Sequence, residues 1–380
     1  MDQPNMRSLY DLIEDEYEKN HYDLPYKSVK DFLHNDKESA AFIRAVLQDK
    51  EFRLPNENSS QYSFAQRRAP HSVITYLIGL AFENYLNLSE IISKTFPFQG
   101  KNEYSFNHLW MLTALYHDWG YFSDRVKNAD INFRKEVKYY LLTDIYLNKR
   151  LTLLKEYSYK YSAAIAYDYS EIEEYDRYAR RYHAAKEKED NKKRVERIDH
   201  GILGGIIKFD DLVKTAISEN DNYANNELLL AKTACITIAQ HNIFKSNDPS
   251  EDTKYGPKPQ KLYYYSPFVI DKSAPLLLLL SLVDTFECVK RLGKGENEKN
   301  HLQIETVLKN IKLKVTEETI TIDYTELQKR VKEKKNVDLE KKYDRYINGL
   351  RGLNKWTCLS YKESENISSI EVNPELLVTI

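Results

Sequence analysis

Histidines and aspartates stand beside apolar segments at several separated points of this 380-residue chain. His71 begins one such segment, His117 and Asp118 end another, and Asp284 follows the run PLLLLLSLV. A carboxylate in so apolar a helix loses several kcal/mol of solvation unless a cation faces it. Imidazoles and carboxylates are the ligands that Mn²⁺, Fe²⁺, Co²⁺, Ni²⁺, Zn²⁺ or Mg²⁺ accepts without a thiolate. The residue types therefore predict a site for one or two divalent metal ions.

Two further histidines lie in apolar segments of helical spacing. His200 is near the start of IDHGILGGIIKFDDLVKTAI, and His241 is near the end of NELLLAKTACITIAQHNIF. Because imidazole titrates near neutrality, both are catalytic candidates together with Asp118. They either bind a second ion, with Asp118 bridging, or act as general acid and phosphate clamp, and the residues leave both roles open.

The order of these residues resembles the HD phosphohydrolase superfamily over residues 66 to 292. The segment ALYHDWGY is similar to the family's apolar-His-Asp-x-Gly-Lys segment, DHGILGG to its His-x-x-x-Gly, and QHNIF to its His-His-Glu. The resemblance implies that His71, His117, Asp118 and Asp284 are the four ligands of a mononuclear metal site. It also implies an in-line attack of water on a phosphate ester or anhydride.

The chain departs from the family's pattern at two positions. Tyr121 stands where the family has Lys, and Asn242 replaces the second histidine of the doublet. A signalling-type cyclic-dinucleotide site or a CRISPR-associated nuclease site is therefore incomplete. Arg68, in RRAPHS, is similar to the arginine that precedes the first ligand in deoxynucleoside triphosphate triphosphohydrolases, so we expect it to bind substrate.

These features support three functional hypotheses. The first is hydrolysis of a nucleotide, with a (deoxy)nucleoside triphosphate as the substrate that Arg68 favours. The second is a metal-dependent nuclease or phosphodiesterase, suggested by the extra histidines and by the basic run KEKEDNKKRVER beside His200. The third is a sensor that binds a nucleotide without turnover, which the departures at Tyr121 and Asn242 permit.

The elements that position these residues are predicted to be mainly α-helical. We expect an N-terminal helical segment (1–65), an HD-domain helical bundle (66–300) with a helical insertion at about 125–197, and a small C-terminal α+β module (301–380). In that module IKLKVTEETITIDY alternates like two strands, and WTCLSYK and ISSIEV resemble two more. A charged helix is predicted from 325 to about 352, and the module is a candidate for homo-oligomer formation or partner binding.

Several other charged residues have a simpler interpretation. Residues 274 to 292 are predicted to form one helix. Glu287 and Arg291 follow Asp284 by three and seven positions on roughly the same face of it, so they could point toward the site. The interpretation that we favour is an ordinary surface ion pair. Arg180, Arg181 and His183 are expected to be solvated, and His108 to be structural.

Composition limits the class of protein. Lys and Arg number 56 and Asp and Glu 58, so the net charge of −2 does not indicate a general nucleic-acid or membrane-surface binder, and any basic groove is local. The longest apolar run, APLLLLLSLV, is too short to span a bilayer, and the acidic N-terminus lacks the pattern of a signal peptide. Three scattered cysteines predict reduced core thiols and a cytoplasmic protein.

Overall fold

The computed structural model describes part of the chain: residues 6–20, 26–34, 36–47, 68–83, 106–122, 275–294, 301–316, 319–355, 357–364 and 367–372, with single positions between 201 and 241. These residues are mainly helical and include a small antiparallel sheet, as the sequence predicted. The chain divides into two compact units. The first is Met1–Leu115 with Asp271–Ile380, and the second is Tyr116–Ile270. The predicted domain limits stay a prediction.

The described helices are, in chain order, α1 (Leu9–Lys19), α2 (Lys30–Leu33), α3 (Asp36–Leu47), α4 (Arg68–Phe82), α5 (Phe106–Tyr116), α6 (Trp119–Phe122), α7 (Pro275–Phe286), α8 (Val289–Leu292), α9 (Ile304–Lys309), α10 (Thr325–Glu333) and α11 (Val337–Arg351). The described strands are β1 (Arg7–Ser8), β2 (Gly293–Lys294), β3 (Leu302–Gln303), β4 (Lys312–Val315), β5 (Thr319–Asp323), β6 (Leu359–Ser364) and β7 (Ile367–Val372). Among the described residues, no helix is long and apolar enough to cross a membrane.

Helix α4 lies at the centre of the first unit. It is apolar around most of its circumference, and nearly every residue from Ala69 to Phe82 is buried. Trp110 of α5 packs against Gly79, where an added Cβ would lie only 2.1 Å from the indole ring. The Trp110 indole also donates a hydrogen bond of 2.8 Å to the carbonyl oxygen of Tyr76. Glycine at position 79 therefore allows α4 and α5 to approach closely.

Helix α7 covers another side of α4. The rings of Phe82 and Phe286 meet edge to face with their centroids 5.3 Å apart, and the helix is buried from Pro275 to Val283. The sequence predicted one helix over residues 274 to 292. In the structure α7 ends at Phe286 and α8 starts at Val289, so the chain turns at residues 287 and 288.

The five-stranded sheet of the first unit has the order β1-β4-β5-β7-β6, and every pair in it is antiparallel. Alternation in the sequence fixes the register, because Ile320 and Ile370 are paired and fully buried on one face. The four strands that the sequence predicted are thereby confirmed as β4, β5, β6 and β7. The sequence did not indicate β1, through which residues 7 and 8 extend the sheet beside β4.

The charged helix predicted from 325 to about 352 is two helices, α10 and α11. Lys335 has a positive φ of 48°, in the left-handed region that ends a helix. Asn336 then starts α11, since its side chain accepts a hydrogen bond of 3.0 Å from the backbone N–H of Leu339. A short left-handed turn and an N-cap therefore replace the predicted continuous helix.

Candidate metal centre

His71 is held between two carboxylates inside the first unit. It lies near the start of α4 and is fully buried. Its Nδ1 atom is 2.7 Å from Oε2 of Glu287, and its Nε2 atom is 3.0 Å from Oδ1 of Asp284. The two ring nitrogens thus face different acidic groups, both carried by the chain at the end of α7.

Glu287 has this position because α7 stops one residue before it. The side chain is 1% exposed, and its two oxygens accept hydrogen bonds from the backbone N–H groups of Val289 (2.6 Å) and Lys290 (3.2 Å). The interpretation of Glu287 as part of a surface ion pair is therefore wrong. Arg291 donates a hydrogen bond of 3.1 Å to the carbonyl oxygen of Arg345 on α11.

A cation faces Asp284, as the apolar surroundings of this carboxylate predicted. The Lys290 ammonium lies 2.6 Å from Oδ1 of Asp284 and 3.4 Å from Nε2 of His71. Asp284 is partly exposed, so its solvation loss is smaller than that of a fully buried carboxylate. Lysine offers donors only, so Nε2 accepts from it in the neutral ring that carries its proton on Nδ1, whereas a protonated Nε2 donates to Asp284.

The protonation of His71 reflects these opposing neighbours. Burial lowers its pKa most strongly, and the nearby Lys290 ammonium lowers it further. The carboxylate of Glu287 and the hydrogen bonds to Asp284 and Glu287 outweigh both effects, so the pKa of His71 is raised above its ordinary value. We call His71, Asp284, Glu287 and Lys290 the first cluster. Its two carboxylates favour the protonated, positively charged form of the imidazole.

The spacing within this cluster suits a bound ion. Two ligand atoms that are each about 2.1 Å from one ion and at right angles to each other are about 3.0 Å apart. The Nε2 atom of His71 and Oδ1 of Asp284 are 3.0 Å apart. A hydrogen bond has the same length, so the distance suits a shared proton as well as a shared ion.

The second unit contains a cluster of its own. His117 and Asp118 form the turn between α5 and α6, are 0% and 1% exposed, and have Nε2 and Oδ1 3.6 Å apart. The rings of His117 and His241 meet edge to face, 5.4 Å between centroids. The Nδ1 atom of His241 lies 2.6 Å from the carbonyl oxygen of Ile238 and donates to it, so Nε2 is the acceptor nitrogen of the neutral ring.

Two glycines of DHGILGG allow close packing in this second cluster. A Cβ at Gly201 would lie 2.8 Å from Cε1 of His241, and one at Gly204 would lie 3.0 Å from the backbone nitrogen of Gly120. These contacts give a physical reason for glycine at both positions. The described positions of the two predicted helices around Gly201 and Ile238 are helical, except that His241 lies in a turn.

Sequence reasoning missed one buried cation in the second unit. Lys208 is 3% exposed, and its ammonium lies 4.4 Å from the centroid of the Tyr116 ring and 4.0 Å from that of Trp119. Aromatic faces attract an ammonium at such distances. A lysine inside the apolar run GIIKF was the available signal.

Several predicted residues stay untested. His200 and the three insertion residues Arg180, Arg181 and His183 lie outside the described residues. Arg68 is the first residue of α4, three positions before His71, and is partly buried.

No protein-family model, curated protein or solved structure matches the chain.

Proposed function

We propose that this chain is a divalent-metal-dependent phosphohydrolase of the HD type that cleaves a phosphate ester or anhydride of a nucleotide, with a (deoxy)nucleoside triphosphate as first candidate. The metal is held by His71, His117, Asp118 and Asp284. The observation that carries the proposal is the setting of His71, a fully buried imidazole with one carboxylate on each ring nitrogen.

The donor set supports this assignment. His71, His117 and Asp284 each offer one atom of a kind that binds a metal ion, and none of the four ligands is a thiolate. His117 and Asp118 are adjacent and buried, a costly arrangement that a cation makes tolerable. The ordered motifs of the sequence add the resemblance to the HD superfamily.

The chain's own residues have defined roles in this proposal. A bound divalent cation supplies Lewis-acid chemistry, neutralising charge on phosphate oxygens and lowering the pKa of water. His241, whose Nδ1 is engaged with Ile238, presents Nε2 for proton transfer or for a second ion. Arg68 and His200 are proposed to contact the substrate phosphates.

Metal stoichiometry tests whether the four ligands serve one ion. Purified wild type, His71→Ala, His117→Ala, Asp118→Ala and Asp284→Ala are analysed for bound Mn, Fe, Co, Ni and Zn. If the four residues bind one shared ion, each substitution lowers the content of the same metal by the same number of ions per chain. Loss of separate ions by the His71 and His117 variants, or an unchanged metal content in all variants, would contradict the proposal.

A substrate screen tests the reaction. Nucleoside and deoxynucleoside triphosphates are incubated with each metal, and phosphate, pyrophosphate and triphosphate are measured, with Asp118→Ala as the inactive control. Failure to release any of these products from every nucleotide would refute the nucleotide phosphohydrolase. Cleavage of DNA or RNA would instead indicate the nuclease, and stabilisation by a nucleotide without product would indicate the sensor.

A further inference from the structure

Glu287 has no place among the four proposed ligands, although it lies closer to the His71 ring than Asp284 does. Its Oε2 atom lies 2.7 Å from Nδ1 of the imidazole, whereas Asp284 faces Nε2. The two nitrogens of an imidazole point in different directions, so an ion bound at Nε2 is out of reach of Glu287. The carboxylate therefore acts on the ring and not as a ligand.

The contact decides which ring nitrogen carries the proton. A carboxylate only accepts hydrogen bonds, so each ring nitrogen donates to its carboxylate whenever it carries a proton. The Glu287 contact is the shorter one, 2.7 Å against 3.0 Å, and the Lys290 ammonium, which can only donate, lies 3.4 Å from Nε2. The neutral ring therefore keeps its proton on Nδ1. The Glu287 carboxylate is held in this orientation, because the backbone N–H groups of Val289 and Lys290 donate hydrogen bonds to its two oxygens. In the neutral ring Nε2 is then left with a lone pair directed toward the side of Asp284.

We infer that Glu287 is a positioning residue that fixes the Nδ1–H tautomer and the ring orientation of His71, so that Nε2 is presented to the metal. This inference rests on the proposed function. A carboxylate that accepts a hydrogen bond from the second ring nitrogen of a ligating histidine orients that ring. Its removal commonly lowers metal affinity by about 10- to 100-fold.

The substitution Glu287→Gln tests this role because it preserves the shape and changes the hydrogen-bonding pattern. A glutamine side chain has one oxygen and one NH₂ group, so it cannot accept from Val289 and His71 at different oxygens. If its NH₂ faces Nδ1, the proton of His71 moves to Nε2. If its oxygen stays toward Nδ1 and Lys290, its NH₂ group faces the N–H of Val289, and a neutral amide holds the Nδ1 proton more weakly than a carboxylate does. In either orientation the expected result is a metal affinity lower by about 10- to 100-fold, with the Nε2–H tautomer more populated than in the wild type.

The matched control is Glu83→Gln, the same substitution at a partly buried residue directly after α4. Glu83 is twelve residues beyond His71, about 18 Å along the helix. It should leave Mn²⁺ affinity and the His71 tautomer unchanged. Circular dichroism and thermal melting of both variants show whether each one folds.

Two measurements decide the outcome. Nitrogen-15 NMR of the histidines, above the pH at which the ring titrates, reports the tautomer of metal-free His71, and Mn²⁺ titration calorimetry reports affinity. An Nε2–H tautomer in the wild type would overturn the inference even if Glu287→Gln does not fold. Wild-type affinity and tautomer in a folded Glu287→Gln would also overturn it. Absence of metal binding by the wild type would refute the proposed function instead, while the tautomer stays measurable.

Discussion

At the scale of single residues, Lys290 competes with the ion that the first cluster is proposed to bind. Its ammonium lies against Asp284 Oδ1 and near His71 Nε2, the two atoms that would bind the metal. A divalent ion must therefore displace this ammonium or tolerate its repulsion. Under the proposed function, we expect the displaced ammonium to neutralise a substrate phosphate.

We predict that Lys290→Met raises the affinity for Mn²⁺ in the absence of substrate. A divalent ion and an ammonium about 4 Å apart repel by about 2 kcal/mol in water-like surroundings, which corresponds to roughly 30-fold in binding. The same variant should raise KM for a phosphate substrate, because a cation is lost. Calorimetry and kinetics measure the two effects, with the exposed Lys309→Met as control. Unchanged or weaker Mn²⁺ binding would contradict the prediction.

The cysteines give a second prediction at this scale. Cys235, Cys288 and Cys358 are buried thiols and not disulfides, as the sequence predicted. Burial, aided by the charge of Glu287, raises the pKa of Cys288 well above its ordinary value. The thiolate is the reactive form. Iodoacetamide at pH 8 should therefore leave the native protein unlabelled and alkylate three thiols in denaturant, as mass spectrometry can show. Rapid native labelling of Cys288 would refute this.

At the scale of elements, the helices of the site were predictable and their interruptions were not. Apolar periodicity correctly indicated α4, α5 and α7, and titratable side chains in or directly after these helices pointed to His71, His117 and Asp284. Periodicity also assumed that α7 continues through residue 292. Because the helix ends at Phe286, Glu287 is placed on the imidazole and not on the surface.

The strands of the C-terminal sheet were predictable because the alternation of apolar and polar residues shows only over several residues, and these segments are long enough to show it. Residues 312–323 and 359–372 are long enough to show an apolar face. Strand β1 has only two residues and therefore no period. Its pairing with β4 is a tertiary contact that local sequence does not encode.

The turn between α10 and α11 allows the energetic cost of a positive φ to be measured. Lys335 has a φ of 48°, which costs a residue with a Cβ more than it costs glycine. Lys335→Gly should raise the free energy of unfolding by roughly 0.5 to 1 kcal/mol. Lys334→Gly, at a right-handed position with φ of −68°, should lower it by about the same amount. Urea unfolding measures both, and equal effects would show that φ is not the cause.

At the scale of the whole molecule, the acid side of stability depends on paired carboxylates in the first unit. Glu363 accepts hydrogen bonds of 2.6 and 2.9 Å from Arg351 and one of 2.9 Å from Tyr324. The Arg351 hydrogen bond is the largest of the effects that lower the pKa of Glu363, and it outweighs burial, which raises that pKa. Asp15 and Glu305 also have lowered pKa values, held by Arg7 and Lys309.

Burial acts in the opposite direction on Glu14 and Glu83, whose pKa values are raised. A carboxyl with a raised folded-state pKa loses part of its stabilisation as pH increases through that value. The paired and the buried acids therefore offset one another in the total. Single substitutions are needed to separate the two groups.

Glu363→Gln isolates one paired acid. Because the folded-state pKa of Glu363 lies below the unfolded value of about 4.3, its contribution is present above that value and is lost as pH falls through the lowered pKa. Arg351 is half exposed, so the contribution is at most about 1 kcal/mol. The difference between wild type and Glu363→Gln should therefore shrink toward zero between pH 7 and pH 3. Urea unfolding at each pH measures it, and Glu326→Gln on α10, 51% exposed, is the control. A difference that stays constant with pH would show that shape, and not the charge of Glu363, stabilises the sheet.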